Sequence, residues 1–441
     1  MSLLFGVIIQ KGKKLDILDT NNMDLSVSWL CVAALTFICV KNIIYPFLHK
    51  NRYEIWSPIT FISLTFLYYC VFPNFEDITN YYGHQLSDKK WLFNLCALVS
   101  YLIICYTFKK SNNKSNYVKW NSLWSENNTL FYALALFMLA IVCYVPVQGF
   151  TLSIASNGAI ATYNSEGFDS YLREMIALFA ASSCIMVTSN SKESRLITII
   201  ILWISLVTFV VSGFRYRIVI LIISVATSYY LSHQEKRINV PLLLVIATVV
   251  YFGFNIMDQA RVYGSGLDFD IIRGMNSTDI QQKAGETEHI YGYSILVLDK
   301  YNDVSKWLFF SPLLTAMCMF LPRAIFPWKP DAQYLADTHI LATGSIEDGS
   351  VYLNFVEAFM SFGWIGLVIN AMAIGWLAKR FWSNYLNNPN TIGSIVALAL
   401  FNGFCYVIVS RGYLAQQFST FVYFVCIPFW LTGIIKRFCK K

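Results

Sequence analysis

Charged residues are scarce in this sequence of 441 residues. Asp, Glu, Lys and Arg together make up 13% of it, and only five residues are histidine. Average soluble domains are about 25% charged, and disordered chains combine low hydrophobicity with high charge. The shortage of charge therefore excludes a set of ordinary soluble domains, and it equally excludes a disordered chain.

Familiar catalytic motifs are missing as well. The sequence has no HExxH, GxxxxGK[ST], GxSxG or CxxC pattern, which excludes the enzyme classes that depend on them. Ten of the 11 cysteines fall in or beside apolar segments, so no disulfide framework is indicated. Asp268 and Asp270 have the DxD form of metal-dependent sugar-nucleotide enzymes, but a single DxD in an acidic loop is a weak signal. We therefore expect no metal site and no cofactor.

The sequence is rich in long hydrophobic runs. Hydrophobic residues make up 56% of the chain, the mean hydropathy is +0.51, and apolar runs near 20 residues recur, each long enough to cross a bilayer as a helix. The sequence thus predicts an all-α polytopic membrane protein, one integral membrane domain over 1–441, with about eleven spans (10–12). The predicted spans are 25–40, 56–72, 91–108, 129–150, 171–188, 196–211, 218–231, 240–256, 351–377, 391–410 and 418–435.

One further apolar stretch, 307–326, decides the topology. Pro312, Pro322 and Arg323 suit a re-entrant or interfacial element better than a span. If this element does not cross, Lys and Arg concentrate on the loops of one side, as the positive-inside tendency favours. The N-terminus is then exterior, the C-terminus cytoplasmic, and 257–350 one large exterior loop. The net charge of +7 therefore belongs to cytoplasmic loops and does not indicate a nucleic-acid partner.

Arginines recur at the outer membrane boundary, the side where insertion disfavours basic residues. Guanidinium groups bind phosphate in a bidentate manner and stay charged when partly desolvated, so a cluster at this depth suits the diphosphate of a lipid carrier. The alternative is that these side chains reach for lipid headgroups or pair with nearby acids; Glu174 and Asp258 are such neighbours. The candidate diphosphate-binding residues are Arg173, Arg215, Arg217, Arg261, Arg323 and Arg411.

Two residues on the same side are candidate general bases. Asn354, Glu357 and Ser361 share one helical face, and an acid about two turns into a span is a functional hypothesis by default. The alternative for Glu357 is an ion pair with a neighbouring arginine. His339, in the loop before this span, could also accept a proton, because its unperturbed pKa is near 6.5; a solvated loop histidine is the alternative.

Three segments carry a family resemblance. They are Ser-Gly-Phe-Arg-Tyr-Arg at 212–217, Leu-Pro-Arg-Ala-Ile-Phe-Pro-Trp-Lys-Pro at 321–330, and Phe-Gly-Trp-Ile-Gly at 362–366 within an apolar helix. With these segments, and with about eleven spans and one large exterior loop, the chain resembles the O-antigen polymerases, also called oligosaccharide repeat-unit polymerases (Wzy type). The resemblance covers most of the chain after about residue 200.

The resemblance implies a glycosyltransferase of lipid-donor, GT-C-like architecture in the bacterial inner membrane. Such an enzyme works at the periplasmic face and moves a growing glycan from undecaprenyl diphosphate onto a new lipid-linked repeat unit, forming O-antigen or a related surface polysaccharide. It needs no metal, and a chain-length regulator is a candidate partner. The arginines named above would hold the leaving diphosphate, and Glu357 or His339 would take the proton from the acceptor hydroxyl.

Two other functions remain open at this point. An O-antigen ligase shares the architecture and the donor, and 321–330 favours the polymerase only weakly over it. A lipid-linked oligosaccharide flippase or other transporter belongs to a different class. The large exterior loop and the boundary position of the charges argue against a transporter, which binds near the bilayer midplane.

Overall fold

The computed structural model of the protein is mostly helical. It describes residues 17–48, 52–76, 78, 80–109, 129–148, 168–189, 192–211, 215–234, 241, 248, 261–262, 266–267, 286–322, 325–330, 333–344 and 351–439. The helices are α1 (Ile17–Leu48), α2 (Pro58–Phe66), α3 (Lys90–Lys109), α4 (Thr129–Gln148), α5 (Phe168–Glu174), α6 (Leu178–Val187), α7 (Lys192–Val211), α8 (Arg215–Ser232), α9 (Glu286–Lys300), α10 (Ser311–Cys318), α11 (Gln333–Thr343), α12 (Asn354–Asn387), α13 (Ile392–Ser410), α14 (Leu414–Phe421) and α15 (Ile427–Cys439).

Short irregular elements join these helices. The 3-10 helices are Arg52–Trp56, Phe72–Phe75, Ser87–Lys89, Met175–Ala177 and Val304–Lys306, and the π-helices are Leu67–Val71 and Val422–Cys426. Two antiparallel hairpins of two-residue strands complete the described structure: β1 (Asn80–Tyr81) with β2 (His84–Gln85), and β3 (Arg261–Val262) with β4 (Gly266–Leu267).

Among the residues that the structure describes, six helical stretches are long and apolar enough to cross a membrane. They are Leu25–Leu48, Pro58–Phe75, Lys90–Lys109, Asn354–Asn387, Ile392–Ser410 and Leu414–Ile435. Each coincides with a predicted span. Among the other predicted spans, 171–188 is built from α5, a 3-10 turn and α6, and 240–256 lies almost entirely outside the described residues. The helical, multi-spanning architecture is confirmed, and the number eleven stays a prediction.

The helix α13, the most buried of these six stretches, lies at the centre of the bundle. It packs on α2, α6, α8 and α12, and nearly all of its residues are buried. Gly403 lets α8 approach closely, because a Cβ at this position would lie 2.7 Å from the backbone oxygen of Ile220. Small residues allow this approach between membrane helices, where burial from water no longer drives association.

The helix α12 is a hairpin of two arms. Its backbone leaves helical geometry at Phe362 and Gly363, and the Asn370 side chain donates a hydrogen bond to that of Asn354, 16 residues earlier. In a continuous helix, residues so far apart would be separated by about 24 Å. The first arm, 354–361, therefore folds back against the second arm, 364–387. The prediction of one continuous span over 351–377 is wrong, because a two-residue reversal inside an apolar run does not change its hydropathy.

A tryptophan ring and a positive φ angle fix the reversal. Gly363 has φ +58°, and a Cβ added there would overlap the Trp307 ring. The backbone N–H of Leu308 also donates to the Met360 carbonyl at 2.9 Å. The segment before α10 thus holds the turn between the arms, and glycine is required both for the left-handed backbone and for the space.

We expect Gly363→Ala to destabilise the protein more than Gly344→Ala does. Both glycines have positive φ, but nothing lies within 4 Å of a Cβ at Gly344. The control thus carries only backbone strain, about 1–2 kcal/mol, while Gly363→Ala adds about 1–3 kcal/mol of overpacking against Trp307. Thermal unfolding of the detergent-purified variants measures the difference, and equal losses would contradict this description of the reversal.

The segment 257–350, predicted as one large exterior loop, contains three helices. α9 is buried, and Tyr291, Tyr293 and Tyr301, which the sequence places in that loop, are all buried too. α10 has only eight residues, about 12 Å, against a hydrocarbon core of about 30 Å. Its exposed side chains are apolar, among them Leu314 and Met317. The membrane side of this segment stays a prediction.

Candidate functional site

Glu357 joins three helices. Its side chain is only 3% exposed, and its two carboxylate oxygens accept one hydrogen bond each. The Tyr334 hydroxyl of α11 donates to Oε1 at 2.7 Å, and the backbone N–H of Leu414, the first residue of α14, donates to Oε2 at 2.7 Å. Glu357 lies in the first turn of α12, and the prediction that it lies two turns into a span is wrong, because the helix begins at Asn354.

A helix N-terminus and a tyrosine hydroxyl donate the hydrogen bonds that this buried carboxyl group accepts. Leu414 begins a helix that continues through Val422–Cys426 into α15, so Glu357 binds one of the unpaired N–H groups at the positive end of a long helix dipole. Within the described part of the chain, no Lys or Arg side chain forms an ion pair with Glu357. The ion pair between Glu357 and an arginine, which the sequence left open as an alternative, is therefore not formed among the described residues.

The Tyr334 hydroxyl is held as a donor. Burial and the Glu357 carboxylate raise the pKa of Tyr334, so the phenol keeps its proton near neutral pH. An O–H group therefore points at a carboxylate oxygen across 2.7 Å. This is the distance and polarity at which a carboxylate takes a proton from a hydroxyl group.

A polar network fixes the turn between α13 and α14 beside Glu357. The Gly412 N–H donates to the Tyr352 carbonyl at 2.6 Å. The Asn354 amide donates to Gln417 at 2.8 Å, and Gln417 in turn donates to the Arg411 carbonyl. The backbone of Arg411 is thus fixed against the helix arm that carries Glu357.

Three of the predicted arginines lie in one neighbourhood. The guanidinium carbons of Arg217 and Arg411 are each 5.8 Å from the centre of the Tyr216 ring, a distance at which an aromatic face attracts a cation. The charges of Arg217 and Arg173 both act on Tyr144. We call Arg173, Arg217 and Arg411 the arginine cluster.

An acid on another helix neutralises one member of this cluster. Arg217 is 3% exposed, and its guanidinium donates to Glu174 Oε1 at 2.8 Å. The sequence shows no acid near Arg217, and its partner lies 43 positions earlier at the end of α5. Sequence reasoning assigned Glu174 to Arg173 instead, because only the packing of α5 and α6 near α8 reveals the pair.

The structure describes the remaining three predicted arginines only in part. Arg215 is the first residue of α8 and is partly exposed. Arg261 lies on β3, and its side chain is outside the described residues. Arg323 is outside them altogether, as are Asp268 and Asp270 of the DxD pattern.

His339 lies on a helix and is buried, so the prediction of a loop residue is wrong. It is on α11, with the Tyr82 and Tyr293 rings 6.1 Å and 5.5 Å away. Tyr334, which binds Glu357, is five residues earlier on the same helix. Five residues turn a helix by about 140°, so His339 faces away from Glu357.

The family comparison covers nearly the whole chain. A family model described as O-antigen polysaccharide polymerase Wzy matches residues 16–441. The chain belongs to this family. Membership and the apolar helices together indicate a multi-pass inner-membrane protein that polymerises repeat units into O-antigen. No curated protein matches the chain, and no solved structure matches it.

The segments that carried the resemblance fall at structural junctions of this Wzy protein. The segment 212–217 leads into α8, which starts at Arg215. The segment 362–366 forms the reversal of α12. In the segment 321–330, Lys329 donates to the Met319 carbonyl at 2.8 Å. Among the described residues, no group of three or more His, Cys, Asp or Glu side chains could hold a metal ion.

Proposed function

We propose that this Wzy protein transfers a growing glycan from undecaprenyl diphosphate to the non-reducing end of a lipid-linked repeat unit, with Glu357 as general base. The observation that carries the proposal is a buried carboxyl group that accepts a hydrogen bond from a hydroxyl group, that of Tyr334, across 2.7 Å. The acceptor sugar is also an alcohol, and its hydroxyl would take the place of the Tyr334 hydroxyl on Glu357.

The proposed reaction is one displacement. The acceptor hydroxyl gives its proton to Glu357, and its oxygen attacks the anomeric carbon of the donor sugar. The bond from that carbon to the diphosphate oxygen breaks, and the diphosphate leaves with the electron pair. Diphosphate is a good leaving group, so positioning and charge stabilisation supply most of the acceleration.

The arginine cluster would stabilise the departing diphosphate. Arg217 also pairs with Glu174; Arg411, Arg173 and Arg215, at the start of α8, share the proposed role with it. Arg261 and Arg323 belong to the same proposal on the strength of their boundary positions in the sequence. The three-residue turn 411–413 begins at Arg411 and is followed by Leu414, which binds Glu357. One short turn therefore connects a proposed diphosphate-binding residue with the proposed general base.

The proposed active side is the periplasm. The loops predicted as cytoplasmic hold 17 Lys and Arg residues against four Glu, and Lys379 and Arg380, towards the C-terminal end of the second arm of α12, lie on the same side in this proposal. A cytoplasmic C-terminus follows from the same distribution. The turn 411–413 and the start of α12 then face the periplasm, where lipid-linked repeat units are polymerised in this proposal.

We expect Arg411→Ala to lower polymerisation about 100-fold, the usual effect of removing one group that stabilises transition-state charge. Lipopolysaccharide gels of a deletion strain carrying each variant measure it. The result predicted is loss of the ladder with a core-plus-one-repeat band retained, and partial recovery in Arg411→Lys. Arg380→Ala is the matched control, because its guanidinium lies 5.7 Å from the Trp376 ring but far along α12 from Glu357.

Three outcomes of these gels would contradict the proposal. A full ladder in Arg411→Ala would remove the phosphate role of this residue. Loss of every repeat-bearing band in the deletion strain would indicate a ligase or a flippase. An equal loss in Arg380→Ala would show that the gels report general instability.

A further inference from the structure

The Tyr352 hydroxyl is buried without a hydrogen-bond partner among the described residues. The side chain is 2% exposed, and its backbone is fixed on both sides. The Tyr352 carbonyl accepts from Gly412 at 2.6 Å, and the N–H of Leu353 donates to Ser294 at 3.1 Å. The ring lies 5.9 Å from that of Tyr293. The described part of the chain thus holds this hydroxyl in place without giving it a hydrogen-bond partner.

Other buried tyrosines nearby have partners. Tyr334 donates to Glu357, Tyr301 shares a hydrogen bond with Thr338 at 2.8 Å, and Tyr291 donates to Asn74 at 2.8 Å. A buried polar group that lacks a partner destabilises the folded state, and phenylalanine in its place would not. The Tyr352 hydroxyl is therefore the exception among these tyrosines. A partner that binds transiently, as a substrate does, accounts for such an exception.

The position of the hydroxyl indicates what that partner is. Tyr352 precedes Glu357 by five residues, and both bind the same short turn: Gly412 donates to the Tyr352 carbonyl, and Leu414, two residues later, donates to the Glu357 side chain. An anionic phosphate is disfavoured there, because the carboxylate would repel it at short range. A neutral sugar hydroxyl has no such penalty, and it can both donate and accept a hydrogen bond.

Resting on the proposed function, we infer that the Tyr352 hydroxyl binds the acceptor sugar. Its partner is a hydroxyl on the carbon next to the one that bears the attacking oxygen. The reacting hydroxyl of the acceptor sugar ring then contacts Glu357, and the neighbouring hydroxyl of the same ring contacts Tyr352. Tyr352 is a binding residue that orients the acceptor, and Tyr334 yields its place on Glu357 when the acceptor arrives.

Tyr352→Phe tests this inference in purified full-length protein with the parent strain's lipid-linked repeat unit as acceptor. We expect kcat/KM for the acceptor to fall about 10-fold, the effect of one lost hydrogen bond, while Tm stays equal or rises. The matched control is Tyr291→Phe, which removes a satisfied hydroxyl. It should lower Tm and leave kcat/KM per folded molecule unchanged.

An acceptor that lacks the neighbouring hydroxyl gives a second test in the wild-type protein. It should lose about the same factor in kcat/KM, and combining it with Tyr352→Phe should add no further loss. An unchanged kcat/KM in either single change overturns the inference, as does a fall in Tm for Tyr352→Phe without an effect on kcat/KM. If Tyr352→Phe does not fold, the deoxy acceptor alone decides.

A failure of the proposed function gives a different experimental result from a failure of the inference about Tyr352. Binding of the repeat unit, measured without turnover by its effect on Tm, should weaken in Tyr352→Phe whichever residue is the base. If Glu357→Gln stays active while this binding weakens, the base assignment fails and the acceptor site at Tyr352 stands.

Discussion

Glu357→Gln is expected to reduce polymerisation by about 100-fold or more, the range in which general bases contribute, with little change in stability. A glutamine oxygen can accept from the Leu414 N–H as the carboxylate does. Its amide can donate to the Tyr334 oxygen, which rotates its own proton away. The shape of the site and its hydrogen bonds persist, and the ability to take a proton is lost. Polymer length on gels and Tm of the purified variant measure the two halves of this expectation.

Two control variants separate chemistry from structure. Glu357→Ala leaves the Leu414 N–H and the Tyr334 hydroxyl unpaired and should also destabilise the protein, by about 1–3 kcal/mol for each group. Ser361→Ala removes a hydroxyl that donates only to the Glu357 backbone carbonyl, at 2.9 Å, and should leave polymerisation intact. Wild-type polymer from Glu357→Gln would exclude Glu357 as the base.

Glu174→Ala is expected to destabilise the protein by about 3 kcal/mol, because it removes the acid that forms an ion pair with the buried guanidinium of Arg217. The pair is asymmetric: the Arg217 side chain is buried, while that of Glu174 is 32% exposed. Partial exposure places the expected loss at the lower end of the range for buried pairs. Thermal or denaturant unfolding in detergent measures it.

A double-mutant cycle tests the cause. Adding Arg217→Met to Glu174→Ala removes the buried charge as well and should recover most of the lost stability. Asp299→Ala is the matched control, since Asp299 pairs with Lys89 at the same 2.8 Å but with both side chains partly exposed, and it should cost less than about 1 kcal/mol. Equal losses in Glu174→Ala and Asp299→Ala would contradict the role of burial.

The sequence predicted the helical spans well, because hydropathy over about 20 residues depends on the chain alone. α13 is the clearest case, since Ile392–Ser410 contains no charged residue and occupies the centre of the bundle. The reversal of α12 was not predictable in this way. Gly363 looks like one more small residue in an apolar run until Trp307, 56 positions earlier, is seen against it.

The candidate site was predicted in its residue types but not in its contacts. The arginines were candidates because of their predicted position at the outer membrane boundary, and Glu357 because it lies inside a predicted span. The structure places Arg217 and Arg411 beside one ring, that of Tyr216. Partners from distant helices could not be predicted, because nothing local marks them: Tyr334 and Leu414 for Glu357, and Glu174 for Arg217.

Polymerisation by the purified protein tests the central claim most directly. The protein is reconstituted in liposomes with its lipid-linked repeat unit as the only glycan, and parallel samples also receive lipid A-core. The account predicts longer lipid-linked glycans from the wild type, about 100-fold fewer from Glu357→Gln, and no dependence on lipid A-core. Glycan transferred only when lipid A-core is present, or no elongation by folded wild-type protein, would contradict it.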